Sequence, residues 1–206
     1  MIAAVVLAAG QSKRMRRTKQ LLPLGGSTIL GRVIETFRES KVDRIVLVVG
    51  SGSAAVKRSL DLAGVKTVTN GAFRGGMSGS LKAGLQEIQA EADAVIVALG
   101  DQPFVSPKTV DLLIQAYLRE KPAVVLPLYR GRRGNPVLFD RSLFGELLGI
   151  TGDVGAKSVV RRNESELLEV EVGDEGVVID IDTPADYANG MSREAPRGPL
   201  RSRARV

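Results

Sequence analysis

Two stretches far apart in the chain hold most of the residues with which it could do chemistry. The first, LAAGQSKRMRRTKQLLPLGG (Leu7–Gly26), puts five cations, Lys13, Arg14, Arg16, Arg17 and Lys19, into seven residues, and no acid precedes Glu35. Small residues Ala8, Ala9 and Gly10 let the backbone approach a ligand closely, and amides in such a turn form an anion nest. The second stretch, ALGDQP (Ala98–Pro103), presents Asp101 directly after an apolar run. A basic run alone is usually a solvated loop, and an Asp before a Pro is often a turn residue. Placed together, the two supply a triphosphate cradle, with Arg14 and Lys19 for charge, facing a Mg2+ ligand. Mg2+ needs only one or two carboxylates besides phosphates and water.

The chain has no Cys and no His. Disulfides, thiolate nucleophiles, Cys/His zinc sites and triads with a His base are excluded. Carboxylates, Lys, Arg, hydroxyls and backbone amides remain, an inventory suited to phosphoryl and nucleotidyl transfer, which depend mainly on positioning, cations and metal.

These groups need elements to hold them. Short Val/Ile/Leu-rich runs predict strands over Ile2–Leu7, Arg44–Val49, Val65–Thr69, Ala94–Leu99, Ala123–Pro127, Val137–Phe139, Leu167–Val172 and Val177–Ile181. Between them, helices are expected over Thr28–Ser40, Ser53–Leu62, Ser78–Ala90, Pro107–Glu120, Arg141–Leu148 and Gly155–Arg162. Pro107 behind Ser106 reads as a capped helix start. Near-continuous apolar strands suit a parallel sheet buried on both faces. The alternation predicts an α/β fold, a doubly wound, mostly parallel sheet over residues 1–127, with a small mixed β/α part over 128–190. Residues 1–190 are expected to form one domain. In such sheets ligands bind beyond the carboxyl ends of the strands where strand order reverses, which directs attention to the loops after strands one and four.

Other signals point nowhere else. G-x-x-x-x-G-K-[ST] is absent. Gly50-Ser51-Gly52-Ser53-Ala54-Ala55 matches G-x-G-x-x-A, but the next strand ends at Thr69-Asn70 without the acid a dinucleotide site wants. The net charge of +6 is concentrated in residues 191–206, where five arginines (Arg193, Arg197, Arg201, Arg203 and Arg205) stand against Glu194. That segment reads as a disordered, solvated tail, so no nucleic-acid partner is expected. No apolar run approaches a membrane span, no signal peptide precedes Ile2, and a cytoplasmic location is expected.

LAAGQSKRM…K resembles the signature LAAGxSxRMGxxKxLLP of the molybdenum cofactor cytidylyltransferase family, within the MobA-like NTP transferase superfamily; Arg16 stands where that family usually has Gly. The resemblance runs from residue 1 to about residue 187. It implies a Rossmann-like nucleotidyltransferase fold with an acceptor-side half after residue 127. It implies catalytic roles for Arg14, Lys19 and Asp101, and nucleotide contacts from Leu7, Ala8, Ala9 and Gly10. GDQP is the family's metal motif, and Asp180-Ile181-Asp182-Thr183-Pro184-Ala185-Asp186-Tyr187 is similar to its closing DIDTPxDY. The metal ligands implied are Asp101 with Asp182, and Asp180 second; on a strand the last two would share one face. Asp186 is expected in a short helix begun by Pro184. NGAFRGGMSGS (Asn70–Ser80) resembles the base-binding segment, implying nucleotide contacts from Gly76, Met77, Ser78 and Ser80. RGNPVLF and GDVGAK resemble acceptor elements, implying Asn135, Pro136, Gly155 and Lys157. In the wider class LAAG marks cytidine users, so Ala9 favours CTP, with GTP open. The implied partners are CTP or another NTP, a molybdopterin-type phosphorylated acceptor, and a molybdoenzyme as recipient of the product. The implied cofactor is Mg2+. Alternatives left open are a sugar- or polyol-phosphate nucleotidyltransferase and a non-catalytic molybdenum-cofactor chaperone.

Overall fold

The computed structural model describes residues 1–10, 18–50, 54–71, 76–152 and 155–194. Lys13, Arg14, Arg16 and Arg17, Ser51 to Ser53, and residues 195–206 lie outside the described residues.

The chain opens with β1 (Ile2–Ala8), every residue of which is buried. A single 3-10 turn at Lys19–Leu21 leads into a hairpin of β2 (Pro23–Leu24) and β3 (Ser27–Thr28). Then follow α1 (Ile29–Arg38), β4 (Arg44–Gly50), α2 (Ala54–Ser59), β5 (Val65–Asn70), α3 (Met77–Gln86), β6 (Ala94–Leu99) and α4 (Pro107–Glu120). The later part holds β7 (Val124–Tyr129), β8 (Arg132–Arg133), β9 (Val137–Asp140), α5 (Phe144–Gly149), α6 (Lys157–Arg162), β10 (Leu167–Glu171) and α7 (Pro184–Glu194).

Among the described residues, one eight-stranded sheet runs in the order β10-β7-β9-β6-β1-β4-β5, with β8 paired to β7. β1 pairs parallel with β4 and β6, β4 with β5, and β7 with β10. β9 alone on the main path runs against its neighbours β6 and β7. The expected doubly wound, mostly parallel sheet is present. Strand order reverses between β1 and β6, which places the switch point at Ala8 and Leu99.

Alternation along β1 divides the core. Ala4, Val6 and Ala8 face a layer made by α1, α2 and α4, through Leu30, Val33, Phe37, Val56, Val110, Leu113 and Tyr117. Ala3, Val5 and Leu7 face α3, α5 and α6, through Leu81, Leu85, Phe144, Leu147 and Val159. α4 has the bounds its caps dictate: the Ser106 side chain accepts from Thr109 N–H, Pro107 opens the helix, and Lys121 closes it in the left-handed conformation at φ 50°. A third, smaller cluster joins Leu24, Ile29 and Ile181, with Leu22, Phe104 and Tyr187 packed on it.

Several expected boundaries move. Val177–Ile181 is not a strand. Glu175–Val178 forms a 3-10 turn, followed by extended backbone that belongs to no sheet. The physical reason is that β7 already pairs on both sides, with β10 on one and with β9 and β8 on the other, leaving no edge there to join. Arg141–Leu148 begins as a 3-10 turn over Arg141–Leu143, and α6 starts at Lys157, not Gly155. The Pro184 helix reaches Glu194, so the first residues of the expected disordered tail are helical. There Arg193 pairs with Glu175 at 2.9 Å and lies over the Phe104 ring.

Candidate active site

The site is assembled at the carboxyl ends of β1 and β6. Gly100 turns the chain out of β6 and donates its N–H to the Leu7 carbonyl at 2.9 Å. A Cβ there would stand 3.0 Å from the Ala8 Cβ and 3.1 Å from the Leu7 carbonyl oxygen, so a larger residue would push the loop away from β1 by a few tenths of an ångström. Asp101 is thereby aimed at the 3-10 turn that carries Lys19.

Lys19 Nζ donates to Asp101 Oδ2 at 2.6 Å and to Asp182 Oδ1 at 2.7 Å. The Lys19 side chain is only 10% exposed, and a buried ammonium is tolerated when it is paired. Burial works against its charge, but the Asp101 and Asp182 carboxylates outweigh that and raise its pKa above the ordinary amine value. Asp182 gets there through Ile181. That side chain is fully buried beside Leu24 and Ile29, and its N–H donates to the Asp101 carbonyl at 2.9 Å. The small third core therefore locks the Lys19 hairpin to the Asp182 segment. Tyr187 adds a hydroxyl bond to the Pro23 carbonyl at 2.7 Å, and Asp186 accepts from the Thr183 N–H and hydroxyl, both at 2.8 Å.

Asp180 leaves the line expected of it. Off a strand, it and Asp182 part: Gln102 Nε2 donates to Asp180 Oδ1 at 2.6 Å, while Asp182 meets Lys19. Partial desolvation of the Asp180 carboxyl group pushes its pKa up; the Gln102 amide works against this, and the negative charges of Asp101 and Asp182 add to it. Three carboxyl groups and one ammonium thus share one end of the sheet.

Two glutamines missed in the sequence reading prove structural to this site. Gln102 is one. The other, Gln20, is 5% exposed, and its amide donates to the carbonyls of Ala8 at 3.2 Å and Gly10 at 3.3 Å. It gathers the two ends of the loop after β1. Each amide directly follows a charged site residue, Lys19 or Asp101, a visible signal for both.

Of the expected nucleotide contacts, Leu7 and Ala8 are buried in the sheet, Ala9 is half-buried, and Gly10 is exposed. Gly76 leads into α3 at φ 94°. Ser78 Oγ donates to the Gly152 carbonyl at 2.6 Å, and Ser80 Oγ accepts from Asn70 Nδ2 at 3.1 Å. Both hydroxyls thus have protein partners. Met77 lies against Gly155, so the GMSGS segment and the GDVGAK segment touch. On the acceptor side, Asn135 donates its N–H to the Val177 carbonyl at 2.9 Å and Pro136 is buried behind β6. Lys157 is exposed. Arg133 is held by Glu164 and by Glu169. Arg14 lies outside the described residues.

A hard divalent cation is tested by the donor set. Asp101 and Asp182 offer oxygen ligands from two loops, with side chains 24% and 43% exposed. Among the described residues no group of three or more acidic, His or Cys side chains makes a closed metal cage. An open pair is what a cation shared with substrate phosphates requires, and Lys19 already holds positive charge between the two carboxylates. The residues fit. Among the described residues no helix is long and apolar enough to cross a membrane.

The chain is similar over most of its length to several known proteins. The chain is 31% identical over 189 residues to the nicotine blue oxidoreductase of Paenarthrobacter nicotinovorans, covering 88% of this chain and 92% of that one. It is 25% identical over 193 residues to the molybdenum cofactor cytidylyltransferase of Escherichia coli K12, covering 93% and 96%. The structure of Rv0371C in complex with manganese, from Mycobacterium tuberculosis H37Rv, superposes with a TM-score of 0.78 at 32% identity, over 93% of this chain and 98% of that one. The model of the MobA-like NTP transferase domain matches residues 4–167, spanning β1, the Lys19 turn and Asp101, and the chain belongs to that family.

Proposed function

We propose that this chain transfers the NMP half of an NTP, CTP first, to the phosphate of a molybdopterin-type acceptor and releases pyrophosphate. The observation that carries the reading is the Lys19 ammonium held between Asp101 and Asp182 at the carboxyl ends of β1 and β6. Asp101 and Asp182 would hold Mg2+, which supplies Lewis-acid charge at the reacting phosphates.

An acceptor phosphate oxygen bonds to the α-phosphorus while the bond from that phosphorus to the β-phosphate bridging oxygen breaks. The electron pair leaves with pyrophosphate. Lys19 and the amides near Gly10, with Arg14, stabilise the charge that develops on the leaving group. A phosphate acceptor is already ionised near neutral pH, so no residue has to remove a proton. A chain without His suits this reaction. Ala9 in LAAG is the basis for CTP over GTP. The 25% identical cytidylyltransferase supports molybdopterin as acceptor.

The test is pyrophosphate release by the full chain with Mg2+, molybdenum-loaded molybdopterin and each of the four NTPs, beside Asp101→Ala. Release with CTP, lost in the variant, is the expected result. Release with GTP instead would keep the mechanism and overturn the base. Tight pterin binding with no release from any NTP would replace the enzyme by a carrier of the cofactor.

A second reading is favoured by the 31% identical nicotine blue oxidoreductase. In that case the chain would reduce nicotine blue with a supplied two-electron reductant, and Asp101→Ala would leave that reduction intact. Loss of the dye's visible absorbance decides it.

A further inference from the structure

The segment that brings Asp182 to the site is not a strand, so something other than a sheet ladder must fix its path. It runs antiparallel alongside residues 101–109. Ile181 N–H bonds to the Asp101 carbonyl, and Gln102 bonds to Asp180. Further back, Gly176 lies on the Phe104 peptide so closely that a Cβ would stand 2.1 Å from the Phe104 carbonyl oxygen. At the far end stands Asp174. Its Oδ2 accepts from Ser106 N–H at 2.8 Å and from Thr109 Oγ1 at 2.6 Å, and its Oδ1 accepts from Gly176 N–H at 2.9 Å.

Capping alone does not explain that carboxylate. Ser106 already caps α4 by accepting from Thr109 N–H. In a capping box, the third helical residue reaches back to the N–H of the cap residue. Here that residue is Thr109, whose hydroxyl instead donates to Asp174, and Asp174 takes the cap N–H. The box is closed from another part of the chain. One carboxylate therefore ties the start of α4, just beyond the loop carrying Asp101, to the start of the segment carrying Asp182.

We infer that Asp174 is a positioning residue for the divalent-cation seat, setting the separation of Asp101 and Asp182 through the Gly176–Phe104 contact. This rests on the metal reading proposed above. Groups that orient metal ligands typically change affinity 10–100-fold when removed.

Mn2+ alone, titrated into the full-chain protein and followed by electron paramagnetic resonance, tests this. Asp174→Ala, and Thr109→Val as a milder variant that keeps the helix cap, are compared with wild type and Asp101→Ala. Urea unfolding checks that each variant is folded. Asp174→Ala is expected to weaken Mn2+ binding about 10-fold, the lower end of the range for groups bonded directly to a metal ligand, because it acts through intervening backbone. Thr109→Val weakens it less, and Asp174→Asn, which keeps one acceptor oxygen, recovers part of the loss. In turnover the concentration of Mn2+ for half-maximal rate rises, while the rate at saturating Mn2+ changes far less. Unchanged Mn2+ affinity in folded Asp174→Ala and Thr109→Val, with binding lost in Asp101→Ala, overturns the role of Asp174 and leaves the metal reading standing. Equal Mn2+ binding by Asp101→Ala and wild type overturns both.

Discussion

At the scale of single residues, Lys19 holds the most concentrated role, because its ammonium touches both carboxylates that would carry a cation. An ammonium in that seat competes with a divalent ion for the same oxygens, and it can also stabilise a leaving phosphate. Lys19→Met separates these effects. Nucleotidyl transfer is expected to fall about 10²–10³-fold, as when one preorganised donor is removed, whereas Mn2+ binding followed by paramagnetic resonance should not weaken. Loss of Mn2+ binding in that variant would make Lys19 a structural tie only. The residues expected to act together were partly legible. Asp101 was legible as an acid just beyond a buried strand, whereas Lys19 and Asp182 were legible only through the resemblance of their motifs, since one lies in a 3-10 turn and the other follows no strand. The partnership of Asp180 with Gln102 was hidden, since the same-face argument holds only on a strand. Asp174 was hidden too. Its bonds to the Ser106 N–H and the Thr109 hydroxyl reach a distant part of the chain, which leaves no pattern in the sequence.

Elements were legible where local physics decides them. The Val/Ile/Leu runs of β1, β4 and β6 are buried on both faces, and α4 is bounded by its own caps. They were misread where a neighbour decides. Val177 and Ile181 are apolar and buried as a strand would have them, yet the sheet has no edge to offer there. The antiparallel direction of β9 was equally invisible, because a buried strand reads the same either way. α4 also anchors the opposite end of the sheet. Tyr117 donates its hydroxyl to Asp140 Oδ2 at 2.7 Å, beside a bond to the Asp93 carbonyl at 3.2 Å. Burial opposes the charge on Asp140, but bonds from Ser142 and Tyr117 outweigh it and hold its pKa below the ordinary carboxylate value. A depressed folded value means stability that is present above the unfolded pKa and lost as pH falls through the folded one. Tyr117→Phe is therefore expected to cost about 1.5 kcal/mol near neutral pH. The gap from wild type should narrow in acid, as read by urea unfolding across pH. A gap that stays constant into strong acid would show that the hydroxyl does not favour the Asp140 charge.

Over the whole molecule, the alternation of strands and helices announced a doubly wound sheet, and the sheet order places its reversal between β1 and β6, where Lys19 and Asp101 meet. Net charge was a poorer guide. Much of the excess lies beyond Glu194, while Arg193 is committed to Glu175 and Phe104. Deleting residues 195–206 should leave both the melting temperature and pyrophosphate release unchanged; a loss of release would assign the terminal arginines to substrate. The sheet itself has a mechanical consequence. β9 is laced to β6 from Ala94–Asp140 to Val97–Val137 and to β7 through Val124–Phe139 and Val125–Leu138. The strands before and after α4 are thus one plate, without a seam along which it could fold like a book. Grip on a substrate has to come from the rim, where the Lys19 turn, the Asp101 loop and the Asp182 segment are clasped to one another. Tightening there would be a matter of side chains and turns, leaving the plate as the fixed anvil against which they close.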